Sequence, residues 1–329
     1  MCTRLTYLGP GECVLTARSM DWERDIGTNL WALPRGVERD GEAGPVSLEW
    51  TAEYGSVVAT AYDVATTDGM NEAGLVANLL WLSESDYPTP DGETPTICIS
   101  LWAQYVLDQF ATVADAVEHL REEEFVVVTD QVPGEERLAT LHLALSDASG
   151  DSAIVEYVDG ELSIHHGREY QVMTNSPPFD EQLALASYWD EIGGTVFLPG
   201  TNRAADRFVR ARFYVDAIPQ FEDRRAATAS VFSVIRSVSV PYGLSTEDEP
   251  NLSSTRWRTV ADHGERRYYF ESALDPSVFW IDLEELAFAP GSEPRTLQLG
   301  PDQSAVFAGN VTDELRASEP FEFLEAALG

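Results

Sequence analysis

MCTRLTYLGPGECVLTARSMDW, residues 1–22, reads as two strands folded back on each other. Residues 2–7 and 13–19 are rich in apolar and β-branched side chains, and Gly9-Pro10-Gly11 between them is a turn signal. With the turn centred on Pro10, opposed residue numbers sum to about twenty. That sets Cys2 against the neighbourhood of Arg18 and leaves Asp21 just past the strand end. Chain ends normally fray unless something ties them down. A cysteine at position 2 is therefore either a small buried hydrophobe or a reactive atom that the hairpin holds in place.

The second reading has a definite chemistry. Removal of Met1 is favoured before a residue as small as Cys2, and it would put a free α-amine on the residue that carries the thiol. An α-amine titrates at about 7.7–8.0 and so serves as a base near neutrality. A thiol starts at about 8.5 and falls beside a cation such as Arg18. One residue then supplies both nucleophile and base, and Asp21 is placed to orient the amine by accepting its hydrogen bonds.

Of 329 residues, 56 are acidic and 21 basic, a formal net charge of -35, and every basic residue is arginine. Such an excess repels nucleic acid and anionic membranes. The chain is not a disordered acidic one, because its 8 Trp, 12 Tyr and 14 Phe are spread throughout. Two readings remain: a surface adapted to high salt, where screening removes the self-repulsion, or arginine-biased codon usage. Three cysteines make no disulfide framework. With neither a signal peptide nor an apolar run of membrane-spanning length, the expected location is the cytoplasm. The five histidines and three cysteines show no metal-ligand spacing, so neither metal nor cofactor is expected.

No linker or internal repeat divides the chain, and residues 2–329 are expected to form a single domain. Further strands are predicted at 57–62, 75–80, 125–129, 139–145, 153–158, 162–166 and 170–173, with hairpin turns at Asp147-Ala148-Ser149-Gly150 and Asp159-Gly160. A helical pattern begins near Thr96, Thr112 with Asp115 opens a helix, and two more helices cover 204–217 and 226–237. Strands return at 267–270 and 278–281. Blocks of antiparallel strands separated by helices argue an α+β fold with two antiparallel sheets.

Several separated motifs, in order, resemble the choloylglycine hydrolases. They are Cys2-Thr3-Arg4, Arg18-Ser19-Met20-Asp21-Trp22, Gly69-Met70-Asn71-Glu72-Ala73-Gly74-Leu75, Thr174-Asn175-Ser176-Pro177, Leu198-Pro199-Gly200, Asp206-Arg207-Phe208, Ser239-Val240-Pro241-Tyr242-Gly243 and Arg267-Tyr268-Tyr269-Phe270. The resemblance implies a four-layer αββα sandwich of the N-terminal nucleophile hydrolase type and hydrolysis of a small-molecule linear amide. It implies Cys2 as nucleophile, Arg18 and Asp21 as its supporting pair, Asn175 as an oxyanion donor, Arg207 as a further active-site residue, and often a homotetramer. Without it, Asn175 reads as a turn residue bonding local backbone and Arg207 as solvated helix surface.

Where bile salt hydrolases commonly carry Gly-Leu-Asn, this chain has Asn78-Leu79-Leu80-Trp81, and ungapped counting puts Trp81 in the place of that asparagine. Its backbone N–H is then the second oxyanion donor, with Asn78 the alternative if the register slips. Trp22 and Trp81 form an aromatic slot for a flat or apolar acyl group, or else pack in the core. This form resembles the Gram-negative penicillin V acylase branch, whose members are also similar to N-acyl homoserine lactone acylases. The alternatives are a bile salt hydrolase and a non-catalytic relative that binds an acyl ligand.

Overall fold

The computed structural model describes residues 1–193, 197–245, 253–275, 277–300 and 306–326. The opening hairpin forms as Cys2–Leu8 and Val14–Trp22. It closes where Gly9 N–H donates to the Cys13 carbonyl at 2.8 Å, so the turn centres on Gly11 rather than Pro10. The register therefore shifts by two: Cys2 lies opposite Met20, and Arg18 opposite Arg4. An even shift preserves parity, so Arg18 remains on the face of Cys2 as its diagonal neighbour. Asp21 is not beyond the strand but inside it, paired with Thr255 on the other side.

The hairpin is the heart of a seven-stranded sheet, flanked by Val172–Met173 on one side and by Ser254–Asp262, Arg267–Ser272, Val278–Asp282 and Gly309–Asn310 on the other. All its pairings are antiparallel except the last. A nine-stranded antiparallel sheet runs from Glu161–His166 through Ser152–Val158, Leu141–Ser146, Val76–Trp81, Ala65–Asn71, Ser56–Ala61, Leu30–Leu33 and Arg295–Leu297 to Arg316–Ala317. The expected Asp159-Gly160 turn has positive φ at both residues, +53° and +77°, as a two-residue hairpin of the favoured twist requires.

Five helices are present among the described residues: α1 (Trp102–Gln109), α2 (Val113–Leu120), α3 (Phe179–Ile192), α4 (Ala204–Ala217) and α5 (Arg224–Ser237). Helices α4 and α5 pack on the seven-stranded sheet, α3 packs on α4, and α1 and α2 pack on the nine-stranded sheet. The result is a four-layer αββα sandwich. One apolar core fills the space between the sheets and under α4 and α5; a second lies between the larger sheet and α1 and α2. With both faces of the hairpin covered, its polar residues Thr3, Arg4, Thr6, Thr16, Arg18, Ser19 and Asp21 are all buried.

Thr112 caps α2 as expected, its hydroxyl accepting from Asp115 N–H at 3.2 Å. The helical pattern predicted from Thr96 is corrected: Thr96–Cys98 is a short strand pairing with Val126–Val128, and the helix starts only at Trp102. Helix α3 is an addition to the predicted elements.

Candidate active site

Cys2 is 2 % exposed. Its Sγ lies 3.7 Å from Arg18 Nη2 and 3.8 Å from Met20 Sδ. Three groups of the facing sheet hold the Arg18 guanidinium: Nη1 donates to Thr67 O (3.0 Å) and Asp68 Oδ2 (3.4 Å), and Nη2 to Leu79 O (2.7 Å). Its flat face covers Trp257 at 4.9 Å. Asp68 also accepts from Asn78 Nδ2 at 2.8 Å and from the Tyr268 hydroxyl. Burial raises the Asp68 carboxyl above its ordinary range against the pull of Arg18, and raises the Tyr268 phenol well above its own.

The backbone of Cys2 belongs to a second cluster. Its N–H donates to Asn175 Oδ1 at 2.6 Å, and Arg207 Nη2 donates to the same oxygen at 2.8 Å. Arg207 Nη1 donates to the Cys2 carbonyl and the Thr3 hydroxyl and lies 3.7 Å from Asp21 Oδ2. Arg207 is therefore fully buried, contrary to the solvated-surface reading. Burial lowers its pKa, opposed by Asp21 and Cys2. Asp21 Oδ1 accepts from the Thr255 hydroxyl at 2.6 Å, while Oδ2 has no hydrogen-bond partner among the described residues. With Met1 in place, the terminal amine donates to the Asp21 carbonyl oxygen, not to its carboxylate, at 2.7 Å. Burial pushes that amine below its ordinary pKa.

Asn175 sits in the Thr174–Pro177 turn. Its Nδ2 donates to Trp81 O at 2.7 Å, which leaves the second amide proton free of that bond. Leu82 N–H donates to Thr140 O at 3.0 Å. By the alternation of an antiparallel ladder, the N–H and C=O of Trp81 then point away from the Leu141–Ser146 strand, toward Asn175. Asn78 is a correction: committed to Asp68, it does not line the cavity beside the thiol.

That cavity, of about 100 Å³, is walled by Met20, Tyr62, Val132 and Leu141 together with Trp22 and Trp81. The two indoles are not an open slot. Their centroids are 5.4 Å apart with planes tilted 53°, and a third ring between them needs about twice the 3.5 Å contact distance. The Arg137 guanidinium rests on both, at 4.7 and 4.8 Å, so the pair offers one side as a wall. Arg137 pairs with Glu23 and Glu135, and Arg24 with Glu135, strapping residues 131–139 over the cavity.

Sequence reasoning missed Asp68 and gave Tyr268 no role. Asp68 directly precedes the Gly69-Met70 motif and Tyr268 lies inside a quoted one, so proximity to those motifs was the available signal.

A terminal-strand thiol beside a buried arginine, in a four-layer αββα sandwich, defines an N-terminal nucleophile hydrolase fold. Residues 2–295 match the profile of the linear amide C–N hydrolases, choloylglycine hydrolase family, and the chain belongs to that family. It is 54% identical to a penicillin V acylase from Pectobacterium atrosepticum over 98% of this chain and 92% of that protein. The structure of penicillin V acylase from Agrobacterium tumefaciens superposes with a TM-score of 0.92 at 61% identity, covering 99% of this chain and 100% of the other. The C2A mutant of the conjugated bile acid hydrolase from Clostridium perfringens superposes with a TM-score of 0.78 at 24% identity, covering 91% and 97%; this more distant likeness is one of fold.

Proposed function

We propose that this enzyme hydrolyses penicillin V and similar amides of a compact apolar acid, with Cys2 as nucleophile after Met1 is removed. The observation that carries the reading is the placement of Cys2 itself. Its thiol lies against Arg18, while its backbone nitrogen lies 2.6 Å from Asn175 Oδ1 in the cluster of Arg207 and Asp21. Loss of Met1 turns that nitrogen into an amine. Asp21 Oδ2, which accepts no hydrogen bond among the described residues and lies 3.7 Å from Arg207 Nη1, is the acceptor for the ammonium it becomes.

In the first step the amine takes the thiol proton, sulfur bonds to the amide carbon, and the carbonyl electrons move to oxygen. The second Asn175 amide proton and the Trp81 N–H stabilise that oxyanion, donors of a kind whose loss costs roughly 3–4 kcal/mol. The ammonium then protonates the leaving nitrogen, the C–N bond breaks, and a thioester remains. Water, deprotonated by the same amine, attacks the thioester; the C–S bond breaks and the proton returns to sulfur. Arg207 acts by fixing the Cys2 carbonyl and Asn175, Arg18 by its contact with sulfur.

The apolar cavity wall also suits a fatty acyl chain, so acyl homoserine lactones belong in the same reading. We further take the enzyme to be a cytoplasmic homotetramer built from one domain over residues 2–329; light scattering on the purified protein tests the assembly. The deciding experiment is a hydrolysis screen with penicillin V, acyl homoserine lactones and glycocholate, paired with Cys2→Ala and an intact mass. Turnover of penicillin V by the Met1-free protein that vanishes in Cys2→Ala is expected. Activity that survives the substitution refutes the mechanism, preference for glycocholate favours a bile salt hydrolase, and no turnover of any substrate favours a binding protein.

A further inference from the structure

The turn that delivers Asn175 to Cys2 is poorly equipped to hold itself. Pro177 and Pro178 follow within three residues, and neither has an N–H to donate. Two strands of the nine-stranded sheet supply what is missing. His142 and Glu156 continue the register of the Leu143–Val155 pair by one step, so they stand directly opposite each other. Both are buried, at 0% and 2% exposure. Their side chains meet at 2.7 Å, His142 Nδ1 to Glu156 Oε1. Each then reaches one end of the turn. His142 Nε2 lies 3.0 Å from the carbonyl oxygen of Thr174, just before Asn175. Glu156 Oε2 accepts from the N–H of Phe179, the first residue of α3, at 3.0 Å. Pro178 at the N-cap has no side-chain oxygen to offer, so Glu156 caps the helix from another element.

The proton count follows from the partners. The Thr174 carbonyl only accepts, so Nε2 carries a proton, and one further proton lies between Nδ1 and Oε1. Neither residue lines the cavity, and their hydrogen-bond partners are each other, the Thr174 carbonyl and the Phe179 N–H rather than the thiol. Gln182 adds a third hold from α3, donating to the carbonyls of Asn175 and Pro177.

We infer that His142 and Glu156 are positioning residues for Asn175: joined to each other, they pin both ends of its turn and set its amide against Cys2. They act on the chemical step only through Asn175, and the inference rests on the amidase reading above. Displacing a positioned group by about 1 Å costs on the order of 100-fold in rate, so the pair matters without touching substrate.

The test compares two variants with wild type on penicillin V. Glu156→Gln keeps every bond, because its amide nitrogen can donate to His142 Nδ1 while its oxygen accepts from Phe179. It is expected to hold kcat within about twofold of wild type. Glu156→Leu fills similar space but leaves the Phe179 N–H and His142 Nδ1 unpartnered. It is expected to lower kcat by about 10- to 100-fold and leave KM and the rate of Cys2 alkylation by iodoacetamide unchanged. Should Glu156→Leu not fold, Glu156→Asp replaces it, with the same expectation from a carboxylate withdrawn by one methylene. Three results overturn the inference: undiminished kcat in the Leu or Asp variant, equal damage in Glu156→Gln, or a loss that falls on KM or on thiol alkylation. A wild type that turns over no amide instead overturns the amidase reading and takes the inference with it.

Discussion

Replacing Asp68 by Asn tests whether the Arg18 site is held by charge or merely by hydrogen bonds. The Arg18 and Asp68 side chains are each 1% exposed, and Asp68 supplies the carboxylate of the pair at 3.4 Å. Taking one partner from a buried pair costs about 3–5 kcal/mol, because the other charge stays buried without compensation. The lower end applies here. The contact is long, Arg18 keeps the carbonyls of Thr67 and Leu79, and burial already disfavours the Asp68 charge. The expected loss is therefore about 3 kcal/mol, or about 6 °C in Tm at roughly 2 °C per kcal/mol for a chain of this size. Denaturant melts of wild type, Asp68→Asn, Asp68→Leu, Arg18→Met and the double variant Arg18→Met/Asp68→Leu measure it. The double variant removes both charges and should recover most of the loss, with turnover still abolished. An Asp68→Asn variant within about 1 kcal/mol of wild type, or effects of Asp68→Leu and Arg18→Met that simply add in the double variant, would show that the charge pair does not hold the Arg18 site.

Three further outcomes follow from the same structure. His263 accepts from the Thr16 hydroxyl at 2.8 Å and donates to Gly74 O at 2.7 Å, and burial depresses its pKa from 6.5 to about 4. The unfolded chain thus binds the proton first, and stability present above pH 6.5 is lost as pH falls toward 4, by about 3 kcal/mol; melts of His263→Gln across that window should lack this slope, and equal slopes exclude the assignment. If the acidic, lysine-free composition is a salt adaptation, Tm rises from low to molar salt, and a salt-indifferent Tm leaves codon usage as the explanation. Removing the Arg137 side chain unfastens the strap over Trp22 and Trp81. Arg137→Ala should raise KM for penicillin V while costing no more than about 1 kcal/mol in stability, and an unchanged KM denies the strap a part in binding.

What could be read from the sequence depended on how far apart the partners lie. The meeting of Cys2 and Arg18 needs only one hairpin, and an even register error left them on one face. Helix ends with a local signal were equally legible: Thr112 caps α2, and the predicted 204–217 matches α4. Asp68 was opaque because its partners Arg18, Asn78, Thr259 and Tyr268 come from four other strands, which only the sheet order brings together. Arg207 could not be told from a surface arginine by helical pattern alone, since what buries it is the start of the chain. The tryptophan slot differs for another reason: Trp22 and Trp81 were expected to form a slot or to pack in the core, and Arg137, whose guanidinium rests on both indoles, lies 56 or more positions away in sequence.

Strand parity explains why the cysteine stands where it does. The Cys2 and Arg18 side chains face the nine-stranded sheet, where Arg18 meets Thr67, Asp68 and Leu79. Thr3 and Asp21 face the other way, toward Arg207 on α4. A residue inside a strand sends its side chain to one face and commits its nitrogen to a peptide bond. Only the first residue of the strand can put a thiol on one face and a free amine within reach of carboxylate and guanidinium on the other. With Met1 attached, the thiol's surroundings are complete, but the Cys2 nitrogen is an amide already donating to Asn175. On the proposed mechanism, protein that retains Met1 should therefore be alkylated at Cys2 by iodoacetamide yet turn over no penicillin V, and removing Met1 with an aminopeptidase should restore turnover. Turnover by the Met1-bearing form would show that some other group serves as the base.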